Sequence, residues 1–107
     1  MTIYIAGSIT NDPDYKAKFD KAEQLLKGFG YVPLNPAWLP PEGFTYEAYL
    51  RMSMAMMLEC EAVGFLPGWN LSNGARIECA KAEAAGKKIY YIYPREGVIE
   101  RSLFQGG

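Results

Sequence analysis

The sequence predicts an α/β fold, a single-domain three-layer sandwich of the Rossmann or flavodoxin-like kind with a parallel sheet of four to five strands. Three observations predict it. Short β-rich apolar runs alternate with segments of helical periodicity along the whole chain, the order that builds parallel sheets with right-handed crossovers. The 107 residues, half of them hydrophobic, suffice for one core and not for two. The first and third strand runs are apolar throughout, as strands covered on both faces are. One domain is expected over residues 1–107, with its core in 2–93 and a tail over 94–107.

The elements follow in order. Thr2–Ala6 (TIYIA) is a first strand that stops at Gly7. Asp12, Pro13 and Asp14 supply helix-start chemistry for residues 15–29, where Tyr15, Phe19, Ala22, Leu25, Leu26 and Phe29 recur at helical spacing. Gly28 and Gly30 end that helix, and residues 31–34 form a short second strand. Pro36, Pro40, Pro41 and Gly43 make residues 35–44 a loop without regular structure. Thr45 caps a second helix reaching about Glu59. Its Met52, Met56 and Met57 read as core packing in preference to an adaptable binding face. Residues 62–66 (AVGFL) are a third strand, stopped by Pro67 and Gly68. Residues 72–86 are an Ala-rich helix, and Lys88–Tyr93 (KIYYIY) is a fourth strand halted by Pro94. Residues 95–107 read as a short helix or an arm.

Composition narrows the function. A formal net charge of −1 argues against the basic groove that polymeric nucleic acid requires. The chain has no His, so acid–base chemistry falls to carboxylates, Tyr, Lys or Cys. Cys60 and Cys79 are too few for a four-sulfur zinc site and read as small buried hydrophobes. No metal or cofactor is expected. Neither a secretory apolar region nor a stretch of ~20 apolar residues is present, so a cytoplasmic protein acting on a small molecule, away from membranes, is expected.

Parallel sheets bind ligands beyond the carboxyl ends of their strands, and three loops leave those ends, at 7–12, 35–44 and 67–73. At 100° per residue, Leu71, Ala75, Glu78, Cys79, Ala82, Ala85 and Gly86 share one face of the segment 71–86, whereas Arg76, Glu83 and Lys87 form its solvent face. Glu78 is the lone charge on the packing face. A buried, unpaired carboxylate costs several kcal/mol, so such a group is paired, protonated or working; the alternative is a Glu at the margin that snorkels to solvent. The stretch from Gly68 to Gly74 brings small and polar residues to a helix N-terminus, where anions bind readily. Gly7-Ser8-Ile9-Thr10 is a second loop of backbone donors.

These residues resemble the nucleoside 2-deoxyribosyltransferase-like superfamily, and within it a small branch of phages and bacteria known as a domain of unknown function. The resemblance spans about residues 2–93. It rests on Ile3-Tyr4-Ile5-Ala6-Gly7-Ser8-Ile9, Val32-Pro33-Leu34-Asn35-Pro36, Cys60-Glu61-Ala62-Val63, Leu66-Pro67-Gly68-Trp69, and Ser72-Asn73-Gly74-Ala75-Arg76-Ile77-Glu78. The last of these, followed by Ala82 and Gly86-Lys87, is the most specific. The resemblance implies that Glu78 attacks C1′ of a sugar to form a glycosyl ester, which transferases pass to another base and related 2′-deoxynucleoside 5′-phosphate N-hydrolases pass to water. It implies that Tyr4 assists the carboxylate and that Glu61, where the superfamily carries Asp, handles the base. Ser8 and Ser72 match phosphate-contacting serines of the hydrolases. Lys16 and Lys18 stand where those enzymes have an Arg, and an ammonium orients phosphate less firmly than a guanidinium.

The expected site therefore comprises Glu78, Tyr4 and Glu61 as catalytic residues, with Gly7, Ser8, Ile9, Ser72, Asn73, Gly74, Trp69 and Lys16 binding substrate. The expected function is cleavage or transfer of the N-glycosidic bond of a nucleoside or its 5′-monophosphate; the alternative is a non-catalytic nucleotide-binding module on the same scaffold. A homodimer or higher homo-oligomer is expected, through Trp38, Trp69, the Met-rich helix and the tail.

Overall fold

A computed structural model describes residues 1–10 and 12–101. Its strands are β1 (Thr2–Ala6), β2 (Val32–Leu34), β3 (Ala62–Phe65), β4 (Lys88–Tyr93) and β5 (Gly97–Glu100), and its helices are α1 (Tyr15–Gly28), α2 (Tyr46–Leu58) and α3 (Asn73–Ala84). The strands form one sheet in the order β2-β1-β3-β4-β5. The first four run parallel, and β5 lies antiparallel on β4. Strand order reverses between β1 and β3, which opens a crevice beyond their carboxyl ends.

Side-chain alternation along the strands makes two half-cores. Ile3, Ile5, Ala62, Tyr90 and Ile92 meet Phe19, Ala22 and Leu26 of α1. Tyr4, Ala6, Val63, Phe65 and Ile89 meet Met57, Cys60, Cys79 and Ala82 on the α2–α3 side. Each fully buried Ile or Phe adds about 1.5–3 kcal/mol of hydrophobic stabilisation. Gly64 fits this packing because a Cβ there would come within 2.7 Å of Ile92 Cδ1.

The edge strand β2 is three residues long with Pro33 at its centre. Val32 donates its N–H to Met1 O on the β1 side, so the intervening Pro33 turns its donorless nitrogen to the free edge.

Three expectations need correction. The segment after Pro94 is neither helix nor arm, because residues 97–100 pair with β4 through a turn in which Gly97 takes φ +120°; the tail beyond residue 101 lies outside the described residues. The loop at 35–44 contains a short 3-10 turn, Pro36–Trp38, because Asn35 Oδ1 accepts the N–H of Ala37 at 2.8 Å and Pro36 presets the first φ. The buried face of α3 is Ala75, Glu78, Cys79 and Ala82. Leu71 precedes the helix and is 85% exposed, and Ala85 and Gly86 follow its end in exposed positions.

Candidate active site

The crevice at the carboxyl edge is a cleft of about 960 Å³. Its floor is set by two elements far apart in sequence. Tyr4 stands mid-strand in β1 on the α2–α3 side, and Glu78 is six residues past the Ser72 cap of α3. Both are buried, at 1% and 5% exposure, and Tyr4 Oη donates to Glu78 Oε2 at 2.5 Å.

Burial pushes the Glu78 carboxyl up to about 7, against the opposing hydrogen bonds of the Tyr4 and Ser53 hydroxyls. Burial, helped by the adjacent Glu78 charge, pushes the Tyr4 phenol well above its ordinary value. Tyr4 therefore remains a proton donor at any physiological pH, and Glu78 is poised between its two forms.

The loop after β1 supplies Gly7, Ser8, Ile9 and Thr10 to the cleft. Gly7 is tightly packed: a Cβ would lie 3.1 Å from Leu66 Cδ1 and 3.3 Å from Phe19 Cζ, so those side chains would have to shift to admit it. Opposite it, Ser72 caps α3 by accepting the N–H of Ala75 at 3.2 Å, and Asn73 Oδ1 accepts from Arg76 Nη2 at 2.7 Å. Ser72, Asn73 and Gly74 line the same space.

The remaining wall is apolar and aromatic, made by Tyr15, Tyr46, Tyr49 and Leu50 with Pro36, Leu39, Pro40 and Pro41. Tyr49 Oη donates to Pro40 O at 2.6 Å, which ties α2 to that loop. The root of the loop is fixed by Glu23. Its Oε1 accepts from Asn35 Nδ2 at 3.0 Å and Trp38 Nε1 at 2.8 Å, and Lys27 pairs with Oε2 at 2.9 Å.

Tyr4, Glu78, Gly7, Ser8, Ile9, Ser72, Asn73 and Gly74 thus meet in one cleft, and three expected residues do not. Glu61 precedes β3, at the amino edge of a parallel sheet, whereas the cleft lies at the carboxyl edge. Its carboxylate accepts from Thr2 N at 3.3 Å and its N–H donates to Thr2 Oγ1. Trp69 packs against Phe65 and Tyr91, with ring centroids 4.6 and 6.5 Å away, and lines a separate hollow of about 290 Å³. Lys16 is exposed on the first turn of α1, outside the cleft lining, and Lys18 is held by Asp12 at 2.6 Å.

Ser53 and Arg76 line the cleft without having been expected there. Ser53 was legible as the lone hydroxyl in the run Met52-Ser53-Met54-Ala55-Met56. Arg76 is exposed, as its angle on the helix indicates, and also borders the cleft. Among the described residues, no group of three or more His, Cys, Asp or Glu could hold a metal ion, and no helix is long and apolar enough to cross a membrane.

Several solved structures share this architecture. A 2-deoxyribosyltransferase of Bacillus psychrosaccharolyticus superposes with a TM-score of 0.67 at 22% identity, over 85% of this chain and 71% of that one. The CMP N-glycosidase of Clostridium botulinum gives 0.62 at 20% identity, over 85% and 70%. A 2-deoxyribosyltransferase of Leishmania mexicana gives 0.64 at 22% identity, over 95% and 79%. At these identities the likeness establishes the fold. No curated protein matches the chain in sequence. Residues 1–91 match the family described as "Domain of unknown function (DUF4406)", and the chain belongs to that family.

Proposed function

We propose that the chain cleaves or transfers the N-glycosidic bond of a nucleoside or nucleoside 5′-monophosphate, with Glu78 as nucleophile. The observation that carries this reading is the buried Tyr4–Glu78 pair on the floor of the cleft, with the carboxyl held near pH 7. Tyr4 donates to Oε2, and the attack is assigned to the other oxygen, Oε1. That oxygen bonds to C1′ as the C1′–N bond breaks; the bond's electron pair leaves with the base, which takes up a proton from solvent. Water or a nitrogen of a second base then attacks C1′, loses its proton, and frees the Glu78 carboxylate. The oxocarbenium-like state between these events gains from an adjacent carboxylate in a poorly solvated site.

The other lining residues suit the rest of such a substrate. The Tyr15, Tyr46, Tyr49 and Pro40 wall offers flat apolar surface to a base. Ser72 accepts a hydrogen bond in its capping role, so its own hydroxyl proton stays available to a phosphoryl oxygen, alongside Ser8. A homo-oligomer fits α2, whose buried contribution is Met57 while Tyr46 and Leu58 are exposed. Light scattering at micromolar concentration tests it, and a monomer overturns it.

The test of the chemistry is incubation with a panel of nucleosides and 5′-monophosphates, with free base read by chromatography and Glu78→Ala as control. Base release that depends on Glu78 is expected. Equal turnover in the variant overturns the mechanism.

A further inference from the structure

Among the described residues that line the cleft, Arg76 and Glu78 are the charged ones. They stand at different depths. Glu78 is buried at the floor, and the groups that set its ionisation are burial, Tyr4 and Ser53, with no cation among them. Arg76 is exposed at the rim. It belongs to the first turn of α3, where long side chains slope back over the helix start, and its Nη2 is moored on Asn73 Oδ1. That bond uses one of five guanidinium N–H groups. Arg76 joins none of the ion pairs among the described residues. A cation held at the rim, with donors to spare and a carboxylate below it, is a polarised cleft.

We propose that Arg76 is the specificity-determining cation of this site: it binds the phosphoryl group of a nucleoside 5′-monophosphate and makes the monophosphate preferred over the free nucleoside. The inference rests on the N-glycosidic reading of the same cleft and adds to it the charge of the substrate. A phosphoryl group entering beside an ionisable Glu78 meets like-charge repulsion, and an uncompensated dianion would further oppose ionisation of the carboxylate. A guanidinium at the rim offsets both effects. Its planar fork matches two phosphoryl oxygens, which an ammonium cannot do. Ser8 and Ser72 add neutral donors on either side. Lys16 and Lys18, the cations the sequence pointed to, are outside the lining and paired with Asp12, respectively.

Equilibrium binding tests this without turnover. The four 2′-deoxynucleosides and their 5′-monophosphates are titrated by calorimetry into Glu78→Gln protein, and again with Arg76→Ala or Lys81→Ala added. Lys81 is an exposed cation of the same helix, outside the cleft lining. At least one monophosphate should bind about tenfold to a hundredfold more tightly than its nucleoside, the range expected of a charge-assisted bidentate contact. Arg76→Ala should collapse that ratio to within about threefold, and Lys81→Ala should not.

A ratio that survives Arg76→Ala, or that falls equally with Lys81→Ala, overturns the assignment. So does tighter binding of the nucleosides, or binding of neither set. Wild-type protein that releases no base yet shows an Arg76-dependent monophosphate preference refutes the glycosidic reading and leaves the anion site standing.

Discussion

Glu23 and Glu78 are almost equally withdrawn from the surface, at 8% and 5% exposure, yet their ionisation moves in opposite directions. Glu23 lies just below the surface beneath an exposed Lys27, and the Lys27, Asn35 and Trp38 donors hold its carboxyl below the usual range. Glu78 lies deeper and has hydroxyl donors alone, so desolvation wins and its carboxyl rises to about 7. Burial by itself does not mark a reactive carboxylate; the supply of donors decides whether the group is settled or poised. Glu23 fastens the proline loop to α1. Glu78 stands at the floor of the cleft.

The strongest way to break this contrast is by chemistry. Glu78→Gln should lower base release by about four orders of magnitude or more, the scale of a lost nucleophile, whereas the Glu23 substitution should register in stability. Single-turnover assays of both variants check this, and comparable losses of activity would erase the distinction.

Stability against pH sharpens it. Glu78 has its pKa raised from 4.5 to about 7 on folding, so its contribution is fully present below about pH 4.5 and lost as pH rises through about 7. The loss amounts to about 3 kcal/mol. Urea denaturation of wild type between pH 4.5 and 8 should show that decline, and Glu78→Gln should lack it. Glu23 has its pKa lowered, so its contribution is present above the unfolded value and lost as pH falls. Glu23→Gln should therefore cost most at neutral pH, about 1–3 kcal/mol, with the gap closing in acid. Parallel slopes for the two variants would contradict the assignment.

A smaller effect is expected at Tyr4. Its hydrogen bond favours the ionised form of Glu78, so Tyr4→Phe should move the midpoint of the pH–rate profile upward. Activity at pH 7 should fall by about tenfold or more, the scale of the ~1.5–3 kcal/mol of one hydrogen bond to a charged group. A profile unmoved by the substitution would deny that Tyr4 tunes the carboxylate.

The contrast also marks what was legible in the sequence. β1, β4 and the Thr45 cap of α2 were readable because continuous apolar runs and a capping residue act locally. Glu78 was readable as the charge out of place on an apolar helix face. Glu23 was not, because its partners Asn35 and Trp38 come from a loop that periodicity does not describe. β5 was missed since four residues carry little pattern, although the Gly97 that turns the chain back was a usable hairpin signal. Glu61 was expected in the site through the resemblance alone, and the structure places it beside Thr2 at the amino edge, outside the cleft lining. Arg76 is exposed, as its angle on the helix indicates; its place in the cleft lining was not legible, because an angular projection gives the direction of Cβ and ignores the backward slope of a long side chain.

Pro33 has a consequence outside the cleft. A free sheet edge invites another chain to add a strand, the first step of aggregation, and it does so through unpaired N–H groups. β2 offers such a guest three residues, the middle one without a donor, while the opposite margin, β5, is four residues long and ends on the charged Glu100. Neither margin is a good template for endless strand stacking. Any self-association is thereby steered away from the sheet margins and toward helical surfaces, where assemblies can close on themselves and stay finite.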